Sequence, residues 1–333
     1  MPRPWRVRYP GANYHVTCRG NGRARIFLCE GDYRRFVNQL EEALAADNVA
    51  LFAYALMPNH VHLHLETPHG NLPRFMQRLT TAYAMYFRYK KQRPGHCFQG
   101  RYGAKVVEGD EYHLRLTRYI HRNPIETREF AKRTKAARST ALAKYPWSSY
   151  GSYVGLRERE PFVDYRWLGL MGCKTFGGNC RRYKRYIEEF SGEDDLLGPA
   201  MGASRYAIGD DRFVESTEEE VRSAICRKAV EGDIVWPERE VVAAEAVLVA
   251  VADAFGISRE VLSQHGARSG LPKMLAVELC CQLTGLTNRA LAPLFGYRDG
   301  GSVGKMRQRL AERLREKHEL QKQMEKICRG LTQ

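Results

Sequence analysis

The sequence lacks the features that define several large classes of protein. No apolar run approaches the ~18–20 residues that a membrane-spanning helix needs, so a transmembrane helix is excluded. The first six residues have no apolar stretch of the kind found in secretory signals. The nine cysteines are an odd number without a Cys-x-x-Cys pair, which argues against a disulfide framework and a zinc ribbon. These absences predict a protein of the reducing cytoplasm.

The charge of the chain is unevenly distributed. The 333 residues carry a formal charge of +15, and their number predicts two domains with a connector. Residues 1–150 have a net charge of +14, residues 151–245 of −5, and residues 246–333 of +6. Two basic blocks on either side of an acidic one predict two units that face nucleic acid. The alternative is a generally basic protein from a G+C-rich genome.

Strand and helix signals alternate through the first 125 residues. Tyr14–Cys18 alternates apolar and polar residues as a half-buried strand does, and Asp32 begins a helix with an apolar stripe. The other predicted elements are strands at about 49–57, 60–67 and 102–108, and helices at about 72–92 and 110–123. The order β-α-β-β-α-β-α predicts an α+β protein whose first domain has the ferredoxin-like, split βαβ fold of RRM-like domains.

The strongest local pattern is Pro58-Asn59-His60-Val61-His62-Leu63-His64-Leu65-Glu66. Alternate side chains of a strand share a face, so His60, His62 and His64 project together, and Glu66 continues their row. Neutral imidazoles two residues apart on a strand can chelate one divalent ion. The alternative is a polar strand face whose histidines are satisfied by hydrogen bonds.

The last helix of this domain offers a nucleophile and a further ligand. Tyr119 and Asn123 are four residues apart and therefore lie on one face of the helix. Each also has a structural interpretation, because a tyrosine of an amphipathic helix is ordinarily a core residue and an asparagine before a proline ordinarily ends a helix. Spacing alone does not decide between these readings.

Five stretches occur in order within about residues 1–155. They are Tyr14-His15-Val16-Thr17-Cys18-Arg19-Gly20-Asn21, Met57-Pro58-Asn59-His60-Val61-His62, Phe98-Gln99-Gly100-Arg101-Tyr102, Arg118-Tyr119-Ile120-His121-Arg122-Asn123-Pro124 and Pro146-Trp147-Ser148-Ser149-Tyr150. As a set they resemble the single-tyrosine HUH transposases, and most closely the REP-associated tyrosine transposases of bacteria.

This resemblance implies a mechanism and its residues. His60 and His62 would be the metal ligands, Tyr119 the nucleophile and Asn123 the ligand on the helix. His64 and Glu66 lie beyond the family's common pattern and are candidates for accessory ligands. The implied reaction cuts and rejoins hairpin-associated, REP-like single-stranded DNA through a 5′-phosphotyrosine with Mg²⁺ or Mn²⁺. Rejoining needs no nucleotide cofactor, which agrees with the lack of a P-loop.

The basic residues near the five stretches are candidates for DNA contacts. The predicted DNA-binding residues of the first domain are Arg3, Arg6, Arg8, Arg19, Asn21, Arg23, Arg101, Arg118 and Arg122. The alternative for each arginine is a solvated surface charge.

The C-terminal block has a second resemblance. The stretches that carry it are Val251-Ala252-Asp253-Ala254-Phe255-Gly256-Ile257-Ser258, Leu283-Thr284-Gly285-Leu286, Leu294-Phe295-Gly296 and Arg298-Asp299-Gly300-Gly301-Ser302-Val303. They are similar to the DNA-binding domain of the replication initiator DnaA, which implies an all-helical helix-turn-helix domain. Phosphate contacts to duplex DNA are expected from Lys273, Arg298, Lys305, Arg307 and Arg309. The alternative is a helical module that binds protein.

The predicted organisation is a nuclease domain at 1–155, an acidic, partly helical connector at 156–240 and a helix-turn-helix domain at 241–333. The expected protein is a cytoplasmic, nucleoid-associated bacterial enzyme, either a monomer or a homodimer. One alternative is a domesticated, non-catalytic regulator that binds repetitive hairpin elements. Another is an unrelated phosphohydrolase with a histidine cluster.

Overall fold

The structure, a computed structural model, describes residues 6–92, 95–189, 197–226, 233–235, 242–264, 270–284, 286, 288–298, 300–316 and 318–331. The chain divides into two compact units, Met1–Pro237 and Glu238–Gln333. No helix of the described residues is long and apolar enough to cross a membrane.

The described part of the first unit contains seven strands and nine helices. The strands are β1 (Arg6–Arg8), β2 (Ala12–Arg19), β3 (Ala50–Met57), β4 (His60–Thr67), β5 (Gly103–Val107), β6 (Ala207–Ile208) and β7 (Asp233–Val235). The helices are α1 (Glu30–Asp47), α2 (Leu72–Lys91), α3 (Asp110–Arg122), α4 (Arg128–Ala131), α5 (Lys135–Lys144), α6 (Tyr150–Tyr153), α7 (Phe176–Glu188), α8 (Leu197–Ala203) and α9 (Asp211–Cys226). Short 3₁₀ turns lie at Asn21–Arg23, Asn123–Ile125 and Arg166–Met171.

Five strands form the main sheet in the order β3-β4-β2-β5-β6. Strand β2 is antiparallel to both β4 and β5, β3 is antiparallel to β4, and β6 is parallel to β5. The first four strands of this order, with α1 after β2 and α2 after β4, form a split βαβ arrangement. The predicted α+β, ferredoxin-like fold is therefore confirmed.

The two faces of the sheet have different compositions because the strands alternate. On β2, the apolar side chains of Tyr14, Val16 and Cys18 contribute to the larger core, to which α1 and α2 contribute as well. The opposite face carries the polar residues of β2 and β4 and is covered by α3. There Leu116 and Ile120 of α3 pack in a smaller core.

The segment predicted as an acidic connector contributes to the first unit. Its helix α7 places Cys180, Tyr183 and Ile187 in the larger core, and its strand β6 adds the fifth strand to the sheet. The described part of residues 156–226 therefore belongs to the same compact unit as the sheet.

The described part of the second unit is entirely helical. Its helices are α10 (Ala244–Phe255), α11 (Arg259–Ser263), α12 (Gly270–Leu283), α13 (Asn288–Leu291), α14 (Gly300–Glu316) and α15 (His318–Leu331). A 3₁₀ turn, Ala292–Phe295, follows α13, because Pro293 has no N–H to continue the α-helical hydrogen bonds. The stretch 283–286, which carries part of the resemblance to a helix-turn-helix domain, lies partly outside the described residues.

Candidate active site

The histidine row of β4 faces the polar side chains of β2. The register pairs His60 with Arg19, His62 with Thr17, and His64 with His15. Since directly opposed residues of neighbouring strands project from the same face, the histidines of the two strands form one polar surface beneath α3. The predicted row of alternate side chains is the arrangement that the strand adopts.

His62 is held by a histidine of the neighbouring strand. His15 Nε2 lies 3.0 Å from His62 Nδ1, and the two rings stack at 7° with centroids 5.3 Å apart. The Tyr119 ring stands edge-on to both, with centroids 5.8 Å from His15 and 5.7 Å from His62. Helix α3 therefore brings the candidate nucleophile against the candidate metal ligand of the same chain.

His60 lies beside His62 at the edge of this polar surface. Its ring centroid lies 4.9 Å from that of His62, and its Nδ1 lies 2.7 Å from Asn59 Oδ1. Asn123 follows the last residue of α3, where its Nδ2 donates to the carbonyl oxygen of Tyr119 at 3.0 Å. We call His60, His62, Tyr119 and Asn123 the catalytic group.

Burial governs the proton affinities of this group. It lowers the pKa of His62 well below its usual value, with the neighbouring His15 and His60 adding to the effect. It also lowers the pKa of His60, which a hydrogen bond with Asn123 partly opposes. Both imidazoles are therefore neutral at physiological pH, the state in which a histidine donates a lone pair to a metal. Burial raises the pKa of Tyr119, so its hydroxyl keeps its proton unless another group assists.

Three of the sequence stretches converge at one end of the sheet. The Gly20 N–H donates to the Asn59 carbonyl at 2.8 Å, and the Asn21 N–H donates to the Cys97 carbonyl at 3.0 Å. A Cβ at position 20 would lie 2.1 Å from the carbonyl oxygen of Ala24, so only glycine fits this close approach. The turn after β2 and the turn before β4 are thereby locked beside His60.

A family model matches the part of the chain that contains the catalytic group. Residues 9–123 match the family model described as "Transposase IS200 like". This match confirms the predicted resemblance of this part of the chain to a family of transposases.

The solved structures that resemble the chain include two transposases, and a search of curated proteins found no match. One is a REP-associated tyrosine transposase bound to a REP hairpin, at 15% identity and a TM-score of 0.38, covering 50% of this chain and 96% of the other. The second is a provisionally named transposase from Deinococcus radiodurans R1, at 20% identity and a TM-score of 0.27, covering 36% and 94%. At these scores neither supports a conclusion about this chain.

The other two residues of the predicted row, His64 and Glu66, contact partners outside the catalytic group. His64 Nε2 lies 3.0 Å from His113 Nδ1 of α3, and Trp167 stacks on His113 at 4.1 Å. Glu66 accepts a hydrogen bond from Arg166 at 2.7 Å. Because both side chains are engaged in this way, we do not include them in the metal site proposed below.

The predicted DNA-binding residues of the first unit differ in how exposed they are. Exposed residues near the converging turns are Arg19, Asn21, Arg23 and Arg101. Arg6 and Arg118 are buried over the rings of Tyr102 and Tyr186, and Arg122 donates to Glu126 and to the Ile187 carbonyl. Arg8 is half-buried, and Arg3 lies outside the described residues. The buried positions of Arg118 and Arg122 favour a structural role for both.

The residues of the second unit that are predicted to contact phosphate also differ in exposure and in their partners. Arg298 and Lys305 are exposed. Lys273 is fully buried and donates to the Gln264 carbonyl at 2.5 Å, whereas Arg307 pairs with Glu278 at 2.8 Å. These partners hold Lys273 and Arg307 within the unit.

His15 is the residue of the site that sequence reasoning missed. It belongs to the first matching stretch, but the resemblance implies no role for it. The alternation of its strand does indicate its position, because Tyr14 and Val16 are apolar and place His15 on the polar face. Its partnership with His62 depends on the register between β2 and β4, which the alternation does not specify.

Proposed function

We propose that the first unit cuts and rejoins single-stranded, hairpin-associated DNA through a covalent bond to Tyr119. The observation that carries this proposal is the edge-on placement of Tyr119 against His62, with His60 and Asn123 beside it. A nucleophile next to metal-ligand side chains is the arrangement that metal-assisted phosphoryl transfer requires.

The donor set of the catalytic group fits a hard divalent cation such as Mg²⁺ or Mn²⁺. His60 has its Nδ1 engaged by Asn59 and His62 has its Nδ1 engaged by His15, so both rings keep Nε2 as the donor atom. Asn123 supplies an amide oxygen as the third donor. No three His, Cys, Asp or Glu side chains cluster as a metal site in the described part of the chain. When bound, the cation would polarise the scissile phosphate.

The chain's own residues would perform the bond changes. Tyr119 Oη attacks the scissile phosphorus, and the bond from phosphorus to the 3′ oxygen breaks. The tyrosine hydroxyl loses its proton in this step, and the leaving 3′ oxygen gains one. The products are a 5′-phosphotyrosine and a free 3′-OH. Attack by a 3′-OH reverses these changes, so the energy of the phosphodiester is conserved and no nucleotide is consumed.

Exposed arginines beside the catalytic group would bind the DNA backbone. Arg19, Arg23 and Arg101 lie on or next to the converging turns, where phosphates can approach His60. Asn21 adds a side-chain amide at the same turn. We therefore place the foot of the hairpin at this end of the sheet.

For the second unit we propose contacts to the backbone of duplex DNA. Lys305 and Arg309 are exposed and lie four residues apart on α14, so they form a ridge on one helix face, with Arg298 just before the helix. Replacing Lys305 and Arg309 by alanine should weaken duplex binding and reduce its salt dependence by a slope of about 2. An unchanged slope would favour the alternative, a module that binds protein.

The nucleophile can be tested with a matched pair of tyrosines. Tyr112 and Tyr119 are both half-buried on α3 and pack against the same small core, and burial raises the pKa of each. The full chain is incubated with radiolabelled hairpin oligonucleotides and Mg²⁺ or Mn²⁺, and covalent adducts are resolved on a denaturing gel. Tyr119→Phe should lower adduct formation by at least ~10³-fold, whereas Tyr112→Phe should retain it.

Two outcomes would contradict the proposal. Adduct that persists in Tyr119→Phe would assign the chemistry to another residue. Hairpin binding without adduct in the wild type, and unaffected by His60→Ala, would identify the non-catalytic regulator.

A further inference from the structure

One buried histidine contacts the catalytic group without being a candidate ligand. His15 is 4% exposed and lies on β2, the strand between β4 and β5. Its Nε2 points to His62 Nδ1 at 3.0 Å, and this contact occupies the nitrogen that would otherwise reach a metal beside His62. The position of His15 beside this group therefore needs an explanation other than direct binding of the metal.

The hydrogen bond between the two rings has one arrangement that is compatible with metal binding. A neutral imidazole has one N–H and one lone pair, so only one of the two facing nitrogens carries the proton. If His62 Nδ1 carries it and donates to His15 Nε2, then His62 Nε2 has the lone pair. The opposite arrangement would protonate His62 Nε2 and block ligation.

The surroundings of His15 hold it in this position. The ring is buried, and a neutral imidazole has a lone pair that can accept a hydrogen bond. Lys105 faces His15 from β5, but its ammonium donates to the carbonyls of Met201 and Ser204. The edge-on Tyr119 ring also packs against His15.

We propose that His15 is a positioning residue that accepts a hydrogen bond from His62 Nδ1, and so selects the tautomer and ring orientation with which His62 binds the divalent metal. This inference rests on the proposed function, because it assigns the metal to the catalytic group. Partners of this kind typically change metal affinity or activity by about 10- to 100-fold when they are removed.

The test compares two histidines that have the same type of contact. His113 is also 4% exposed and lies 3.0 Å from a histidine of β4, but that histidine is His64. Mn²⁺ affinity of the full chain is measured by titration calorimetry for the wild type, His15→Phe, His15→Gln and His113→Phe. Circular dichroism verifies that each variant is folded.

Metal affinity should separate these variants. His15→Phe should weaken Mn²⁺ binding by about 10- to 100-fold, while His15→Gln, whose amide oxygen can accept from His62 Nδ1, should stay within a few-fold of the wild type. His113→Phe should also stay within a few-fold. The ¹⁵N spectrum of the metal-free wild type should show His62 protonated at Nδ1.

The results also separate this inference from the proposed function. If the wild type binds Mn²⁺ and forms the Tyr119 adduct, but His15→Phe binds Mn²⁺ as tightly, only the role of His15 is refuted. Equal losses in His15→Phe and His113→Phe would likewise refute it and indicate a general effect of removing a buried imidazole. A wild type without adduct or metal binding would refute the proposed function itself.

Discussion

Two histidine pairs lie on the same face of the sheet, and they differ in what surrounds them. In both pairs, His15–His62 and His64–His113, ring nitrogens lie 3.0 Å apart. The rings are nearly parallel in both, at 7° and 11°, and all four side chains are buried. Hydrogen bonding and burial alone therefore do not distinguish a candidate catalytic residue from a core residue.

The neighbours of each pair make the distinction. His62 is flanked by His60 and Tyr119, both half-buried, so its free nitrogen lies among groups that a substrate can reach. His64 is enclosed by Phe52 at 4.9 Å and by the stack of His113 and Trp167, and its Nδ1 is buried without a hydrogen-bond partner in the described residues. The two pairs therefore differ in access to the ring nitrogen that is not hydrogen-bonded to the other histidine. This access distinguishes the candidate site at His62 from the structural contact at His64.

Removing one histidine from each pair should produce the largest contrast. His62→Ala should lower the rate of adduct formation by about 10³-fold, because a lost metal ligand removes several kcal/mol of charge stabilisation. His64→Leu should change that rate by less than about tenfold but cost ~1–3 kcal/mol of stability, since it leaves His113 Nδ1 unpaired. Rates are taken from labelled hairpin adducts and stabilities from urea unfolding. Equal rate losses would place both pairs in the site.

The next largest effect is expected in the pH dependence of stability, and it comes from the enclosed pair His64–His113. Burial lowers the pKa of His113 to about 3, whereas the unfolded value is about 6.5, so between these values the unfolded state binds one more proton. The free energy of unfolding therefore falls as the pH drops below 6.5, by up to about 1.4 kcal/mol per pH unit for this residue.

The matched variant for this effect is His113→Phe. Its free energy of unfolding should decline less steeply than that of the wild type between pH 6.5 and 5. Urea unfolding at several pH values measures both slopes. Identical slopes would contradict the burial of a neutral imidazole at this position.

The smallest effect is expected at the end of the histidine row. Glu66→Gln removes an ion pair with the partly exposed Arg166, which should cost less than ~1 kcal/mol and change the adduct rate by less than about threefold. The accessory-ligand interpretation of Glu66 instead requires weaker Mn²⁺ binding. Titration of this variant with Mn²⁺ decides between the two.

Much of the candidate site follows from local patterns in the sequence. The alternation in β4 predicts that His60, His62 and His64 share a face, and the helical spacing predicts that Tyr119 and Asn123 do so as well. Both expectations depend only on the geometry of a single strand or helix. They hold because neighbours along the chain determine that geometry.

The partners of these residues could not be predicted in the same way. Trp167 stacks on His113 from a segment that the sequence indicates only as a connector, and Arg122 points inward to the Ile187 carbonyl of α7 rather than to solvent. Such contacts join elements more than 50 residues apart. No periodicity in either segment encodes them.

By itself, the sequence determined the split βαβ order, the polar and apolar faces of its strands, and the motifs that resemble those of transposases. Tertiary structure alone decided which histidine of the row faces Tyr119 and which is enclosed by Trp167. The physical reason is that a residue's face is set by its own strand, whereas access to its ring nitrogens is set by the register of neighbouring strands and by the helices packed above them.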